Sequence, residues 1–166
     1  AMTQLLSRTD LHNFNEGTHG NAYQFMGAHV LAAGKWRFAV WAPRAQAVSV
    51  VGDFNGWDPA AAPMELQQDS GVWAAAVEGV QQGDHYKYAV TGPDGKVRLK
   101  ADPFAVYAEC RPATASRVWD LSGYKWGDAA WMRRRKSRNP FCSPMAIYEV
   151  HAGSFDHKKD GSLFSY

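Results

Sequence analysis

Cysteine is nearly absent. The 166 residues hold two, Cys110 and Cys142, at no spacing that a metal site uses. They read as free thiols of a reducing compartment, with a single disulfide between them as the alternative. Long apolar runs are lacking too, for none approaches the ~18 residues that cross a bilayer. The N-terminus shows no charged head followed by an apolar block, so no signal peptide is read. An excess of one charge is missing as well. Eighteen Lys and Arg against sixteen Asp and Glu leave +2, too near balance to favour nucleic acid or an acidic membrane surface. The six His have no metal-ligand spacing. Neither a glycine-rich phosphate loop nor a Gly-x-Ser-x-Gly elbow occurs. Together these absences predict a cytoplasmic protein with no cofactor, no metal site and no nucleic-acid or membrane partner.

What is present is aromatic and turn-rich. Aromatic residues make up 13% of the chain, with seven Trp, enough for a sizeable core in one medium domain plus extensions. From Lys35 the apolar period is two. Trp36, Phe38 and Val40 alternate with Arg37, Ala39 and Trp41, and Val48 and Val50 alternate with Ser49 and Val51. Further strands are predicted at Met64–Leu66, Val72–Val77, His85–Val90, Lys96–Lys100 and Ser116–Trp119. In the His85 strand, Tyr86, Tyr88 and Val90 share one face and His85, Lys87 and Ala89 the other. Asp69-Ser70-Gly71, Gln81-Gln82-Gly83-Asp84 and Gly92-Pro93-Asp94-Gly95 supply the turns. Short strands at such spacing predict an all-β antiparallel sandwich over residues 34–120. Residues 1–33 read as an extension, with one helical turn near Ser7–Phe14 capped by Thr9 or Asp10. Residues 121–142 read as a linker holding a short helix, whose Asp128 and closing bases suit the helix dipole. Met145–Val150 is apolar enough for a buried strand, yet no partner strand follows, so the chain reads as the front part of something longer.

The segment Val51-Gly52-Asp53-Phe54-Asn55-Gly56-Trp57-Asp58-Pro59 ends one strand in a tight loop. Gly52 and Asn55-Gly56 allow backbone conformations that most residues resist, and they hold Trp57 between residues typical of exposed loops. An indole on a rigid polar loop suits stacking on the apolar face of a sugar ring; the alternative is a tryptophan folded back over the core. Lys87, opposite the tyrosine face, is a hydroxyl-binding donor. Asp53 and Asp58 are a carboxylate pair of the kind that glycosyl transfer needs, but both fit turn roles better. The Arg133-Arg134-Arg135-Lys136 cluster reads as a solvated helix face rather than a nucleic-acid site, with Trp131 as its anchor.

Four blocks carry a family resemblance. They are Asn15-Glu16-Gly17-Thr18-His19 with Gly27-Ala28-His29; Phe38 to Pro43 with Val48 to Asp58; Tyr86-Lys87-Tyr88 through Lys100-Ala101-Asp102-Pro103 to Ser116; and Ile147-Tyr148-Glu149-Val150-His151-Ala152-Gly153-Ser154-Phe155. In this order they resemble the amino-terminal portion of bacterial 1,4-alpha-glucan (glycogen) branching enzymes. The resemblance implies that residues of about 34–120 are a family 48 carbohydrate-binding module with an immunoglobulin-like (E-set) fold. It implies that residues 143–166 hold the first strand of a truncated glycoside hydrolase family 13 barrel. The family's catalytic carboxylates lie on later barrel strands, so this chain alone is expected to be inactive, with no catalytic residue. The implied ligand is α-1,4-glucan, as glycogen or maltooligosaccharide. Trp57 and Lys87 occupy contact positions of the family's modules, and Asn55, Thr114 and Ser116 are candidate polar contributors. The module's second tryptophan is not matched, because the turn Pro93-Asp94-Gly95-Lys96 has no aromatic. The alternative is a scaffold sandwich that binds no sugar and docks the catalytic barrel or another protein.

Overall fold

Alternation along the strands decides which residues enter the core. The computed structural model describes residues 5–142 and 144–163. Its strands are β1 (Gly27–Ala32), β2 (Lys35–Trp41), β3 (Ala47–Gly52), β4 (Glu65–Leu66), β5 (Val72–Glu78), β6 (His85–Thr91), β7 (Val97–Lys100) and β8 (Ser116–Arg117). They form the expected antiparallel sandwich. One sheet has the order β1-β2-β5-β4; the other has β3-β6-β7, with β8 paired to the start of β6. The β2–β5 register sets Trp36 beside Val77 and Phe38 beside Ala75, facing inward. Val48, Val50, Tyr86 and Tyr88 close on them from the second sheet, and Phe38 meets Tyr86 edge-on at 5.1 Å. Residues 62–64 tie the layers together: the Val50 N–H donates to the Ala62 carbonyl and the Met64 N–H to the Val48 carbonyl.

The N-terminal extension is a packed layer. Helix α1 (Arg8–Asn15) is capped by Ser7, two residues before Thr9 and three before Asp10, the expected caps: Ser7 Oγ accepts the Asp10 N–H at 3.0 Å. Leu6, Leu11, Phe25 and Met26 cover Ala39, Val72 and Ala74 on the outer face of β2 and β5, forming a second apolar cluster. Polar ties reinforce this layer, among them the Leu5 N–H on Gln67 Oε1 at 3.2 Å. His19 Nε2 lies 3.0 Å from Asp10 Oδ1, and Arg37 donates to the Gln24 and Phe25 carbonyls. At the other sheet's edge, all four residues of β7 are exposed.

Backbone contacts divide the chain between Gly123 and Tyr124 into two compact units. In the second, α2 (Ala129–Ser137) forms as expected, with Arg134, Arg135 and Lys136 in its last turn and no buried residue. The strand expected over Met145–Val150 does not form. An isolated strand has no partner for its backbone groups, and Ile147 and Tyr148 stay exposed. A short helix, α3 (Ala152–Phe155), follows. Among the described residues no helix is long and apolar enough to cross a membrane. Cys110 and Cys142 are both exposed free thiols.

One buried junction joins β6 to the chain that follows β7. Asp102 Oδ2 accepts the Tyr86 hydroxyl at 2.6 Å and the Tyr88 hydroxyl at 3.0 Å, while Oδ1 accepts the Phe104 N–H at 2.8 Å. Burial pushes the Asp102 carboxyl above its ordinary value of 3.8, and the bonds from Tyr86, Phe104 and Tyr88 only partly oppose this. Burial likewise raises both tyrosines. Because the folded carboxyl titrates higher than the unfolded one, its contribution is greatest below pH 3.8 and declines as pH rises through the raised value. Replacing Asp102 by Ala leaves buried hydroxyls short of an acceptor, and urea unfolding should report a loss of about 1–3 kcal/mol. Asp102→Asn keeps one acceptor and loses less. The difference in stability between wild type and this variant should shift against wild type as pH rises above 3.8.

Candidate glucan-binding face

The loop after β3 is closed by its own polar groups. Asn55 Oδ1 accepts the Gly52 N–H at 2.9 Å, and Asn55 Nδ2 donates to the Val50 carbonyl at 3.0 Å. Both ends of the amide are therefore spent on the loop, and Asn55 shapes the site from within. Gly56 and then Trp57 take positive φ, 62° each. For a tryptophan this left-handed backbone costs about 1 kcal/mol or more. Two bonds hold it there: the Trp57 N–H donates to the Gly52 carbonyl at 3.0 Å, and its indole Nε1 donates to Asp53 Oδ1 at 3.1 Å. The ring is 37% exposed, so it does not fold back over the core.

The alternation of β6 sets the second half of the site. Tyr86 and Tyr88 are fully buried, so His85 and Lys87 point outward, as the sequence pattern predicts. Lys87 pairs with Val51 in the β3–β6 register, one residue before the Trp57 loop begins. Its Nζ donates to Thr114 Oγ1 at 2.8 Å, which brings Lys87 and Thr114 together. Ser116 requires a correction. It is 2% exposed, and its Oγ accepts the Asp102 N–H at 2.8 Å. A hydroxyl so enclosed is not open to a sugar at the surface; it supports the Asp102 junction instead.

Sequence reading missed two contributors. Asp53 does more than close a turn: its Oδ2 accepts both the backbone N–H and Nδ1 of His85 at 2.8 Å, while its Oδ1 holds the indole. Partial burial would raise this carboxyl; the hydrogen bonds from His85 and Trp57 outweigh it and hold Asp53 below its ordinary value of 3.8. The partners lie 32 residues apart, so no local pattern marks the pair. Val97 and Leu99 are the second omission. They pair with Thr91 and Ala89 and stand exposed on the Lys87 side of the sheet. Asp58 does serve its turn, accepting the Ala60 N–H at 2.9 Å. Among the described residues no cluster of metal-ligating side chains occurs.

The face therefore offers an indole, a cation with a hydroxyl, and an apolar strip. Gly52 is critical to it. A Cβ there would strike the His85 carbonyl and come within 2.7 Å of the Phe54 ring. Gly52→Ala should cost roughly 1–3 kcal/mol in thermal or urea unfolding. It should also shift the Trp57 indole N–H resonance, because the loop must move off β6.

Residues 25–105 match the model of carbohydrate-binding module 48, the isoamylase N-terminal domain. The match opens two residues before β1 and so takes in the whole first sheet. The 1,4-alpha-glucan branching enzyme GlgB of Oleidesulfovibrio alaskensis is 50% identical over 150 residues, covering 88% of this chain and 24% of that protein. GlgB of Bacillus caldolyticus is 44% identical over 160 residues, covering 95% and 24%. A solved Salmonella typhimurium structure assigned as an alpha amylase superposes with a TM-score of 0.50 at 29% identity, covering 64% of this chain and 16% of that one. The chain thus spans about a quarter of the length of the curated relatives it matches. By this match, residues 25–105 form a domain of the carbohydrate-binding module 48 family.

Proposed function

We propose that this chain is the glucan-binding accessory part of a 1,4-alpha-glucan branching enzyme. In that role the sandwich holds α-1,4-glucan, as glycogen or a maltooligosaccharide, for a catalytic barrel supplied by the rest of the protein. The parent reaction would cleave an α-1,4 linkage and pass the oligosaccharide to a 6-hydroxyl through a covalent glycosyl-enzyme, with no cofactor. Its catalytic carboxylates would lie outside this sequence, so the chain alone should give no turnover. The domain layout has residues 34–120 together with β1, which pairs with β2 in the first sheet, as the module, 121–142 as the linker and 143–166 as the opening of the barrel.

The observation that carries this reading is Trp57. A ring locked in a strained conformation with its N–H already bonded to Asp53 can recognise a ligand only through its face, which suits the apolar face of a glucose unit. Lys87 and Thr114 add a donor and a hydroxyl on the same sheet face, and Val97 and Leu99 add apolar area where the module's second tryptophan is not matched. Asn55 and Ser116 enter only as supports.

The scaffold reading has an observation of its own. A cleft of about 340 Å³ lies beside β1, lined by Val30, Trp36, Phe104, Val106, Trp119 and Leu121 among others. A catalytic barrel is the occupant this reading commits to. It expects Leu121→Asp to weaken co-elution of the chain with the separately produced remainder of the enzyme.

Titration calorimetry with maltoheptaose separates the two roles. Wild type should release heat on binding, and Trp57→Ala should bind at least about tenfold more weakly, a loss near 1.4 kcal/mol, with an unchanged β circular-dichroism spectrum. Silence from wild type removes the sugar role.

A further inference from the structure

His85 stands between two carboxylates that belong to different loops. Its Nδ1 meets Asp53 Oδ2 at 2.8 Å, its Nε2 lies 3.9 Å from Glu109 Oε1, and its side chain is one-third exposed. Each carboxylate anchors one half of the candidate face. Asp53 Oδ1 accepts the indole N–H of Trp57. Glu109 Oε2 accepts the Ala115 N–H at 3.0 Å, and the Glu109 N–H donates to the Ala115 carbonyl at 2.9 Å. That second pair holds the stretch carrying Thr114, the acceptor for Lys87.

An imidazole has one N–H when neutral and two when charged. In the neutral ring, a proton on Nδ1 serves Asp53 and leaves the Nε2 lone pair towards a carboxylate oxygen. In the charged ring both nitrogens carry protons: Nδ1 donates to Asp53, and Nε2 faces Glu109 Oε1 as an ion pair at 3.9 Å. The remaining charged groups near the ring are otherwise engaged. Arg117, opposite His85 in the β6–β8 register, donates its Nε to the Gly83 carbonyl and lies over the Tyr107 ring at 4.8 Å. Lys87, two residues along the same face, is bonded to Thr114. Asp84, next in the chain, accepts the Gln81 N–H.

We propose that His85 is a positioning residue for glucan binding. It bridges the Trp57 loop and the Thr114 loop so that the stacking ring and the Lys87–Thr114 pair keep one spacing, and the bridge is complete only when the imidazole is charged. This rests on the glucan reading above and names a control on that site. The sign follows directly: affinity is higher where the imidazole carries its second proton and falls as rising pH removes it. An ion pair exposed to about a third has a modest effect, so the fall should be about two- to fivefold.

The test pairs calorimetry with indole and amide NMR over a pH series. It uses wild type, Glu109→Gln and His85→Asn. Glu109→Gln keeps an acceptor for Ala115 but removes the charge, and His85→Asn keeps a donor near Asp53 but cannot reach Glu109. In wild type the Trp57 indole N–H and the Thr114 amide should shift with one shared midpoint, and maltoheptaose affinity should follow it. In both variants the affinity should be flat with pH. Binding by wild type with no pH dependence overturns the proposal and leaves the glucan reading intact. The same slope in all three proteins also overturns it. If wild type binds no glucan at any pH, the glucan reading fails. The spectra then decide the bridge, upheld by a shared midpoint that the variants lose and overturned by separate or absent midpoints.

Discussion

Two tyrosyl hydroxyls, from neighbouring positions of one face of β6, end on a single buried carboxylate oxygen of Asp102. The rest of the molecule depends on that junction. It fixes which face of β6 is inward, and by alternation it fixes that His85 and Lys87 are outward. The Asp102 N–H is bonded to Ser116, so the junction also brings the returning chain, with Glu109, Thr114 and β8, alongside the same strand. A buried carboxylate without such partners would be costly; with them it becomes a specific joint. The surface chemistry is thus placed by an interior contact that no sugar would touch.

The candidate face itself is held in tension between strain and hydrogen bonds. Trp57 pays for a left-handed backbone with bonds from its amide and its indole, and Asn55 closes the loop beneath it. Gly52 is required because the His85 carbonyl approaches where a side chain would stand. These groups form a small rigid unit on the sheet, which lowers the ordering cost of any ligand that stacks there.

Much of the sandwich is legible in the sequence because its strands announce themselves locally. Trp36, Phe38 and Val40, or Tyr86 and Tyr88, alternate with polar or small residues, and glycine-containing turns separate the runs. The hairpin turn at Gly92–Gly95 forms as written, with the Gly95 N–H on the Gly92 carbonyl. Long-range pairings are less legible. Nothing near Asp53 announces His85, and nothing near Ser116 says that its hydroxyl is consumed by Asp102. The hydroxyl's chemistry alone suits a sugar or a backbone amide equally well. Met145–Val150 has strand-like composition, but a strand is a property of a pair, and composition does not supply the second member. The cap of α1 illustrates a smaller limit, since Ser7, Thr9 and Asp10 are all good caps and only the course of the backbone selects among them.

The exposed strand β7 has a consequence for self-association. Its Val97 and Leu99 would make an adhesive border if they stood alone, since an unpaired strand edge is a template for another chain. Arg98 and Lys100 alternate with them along the same four residues. Two copies meeting border to border would bring these cations together and strip them of water. The opposite border is treated differently, for Pro63 bridges to Ser49 beside β3 and has no amide hydrogen to offer an incoming strand. The second sheet is therefore guarded on one side by hydrated charged groups, Lys100 and the Arg98–Asp94 pair, and on the other by a missing donor, so its apolar strip can face solvent without seeding a fibril.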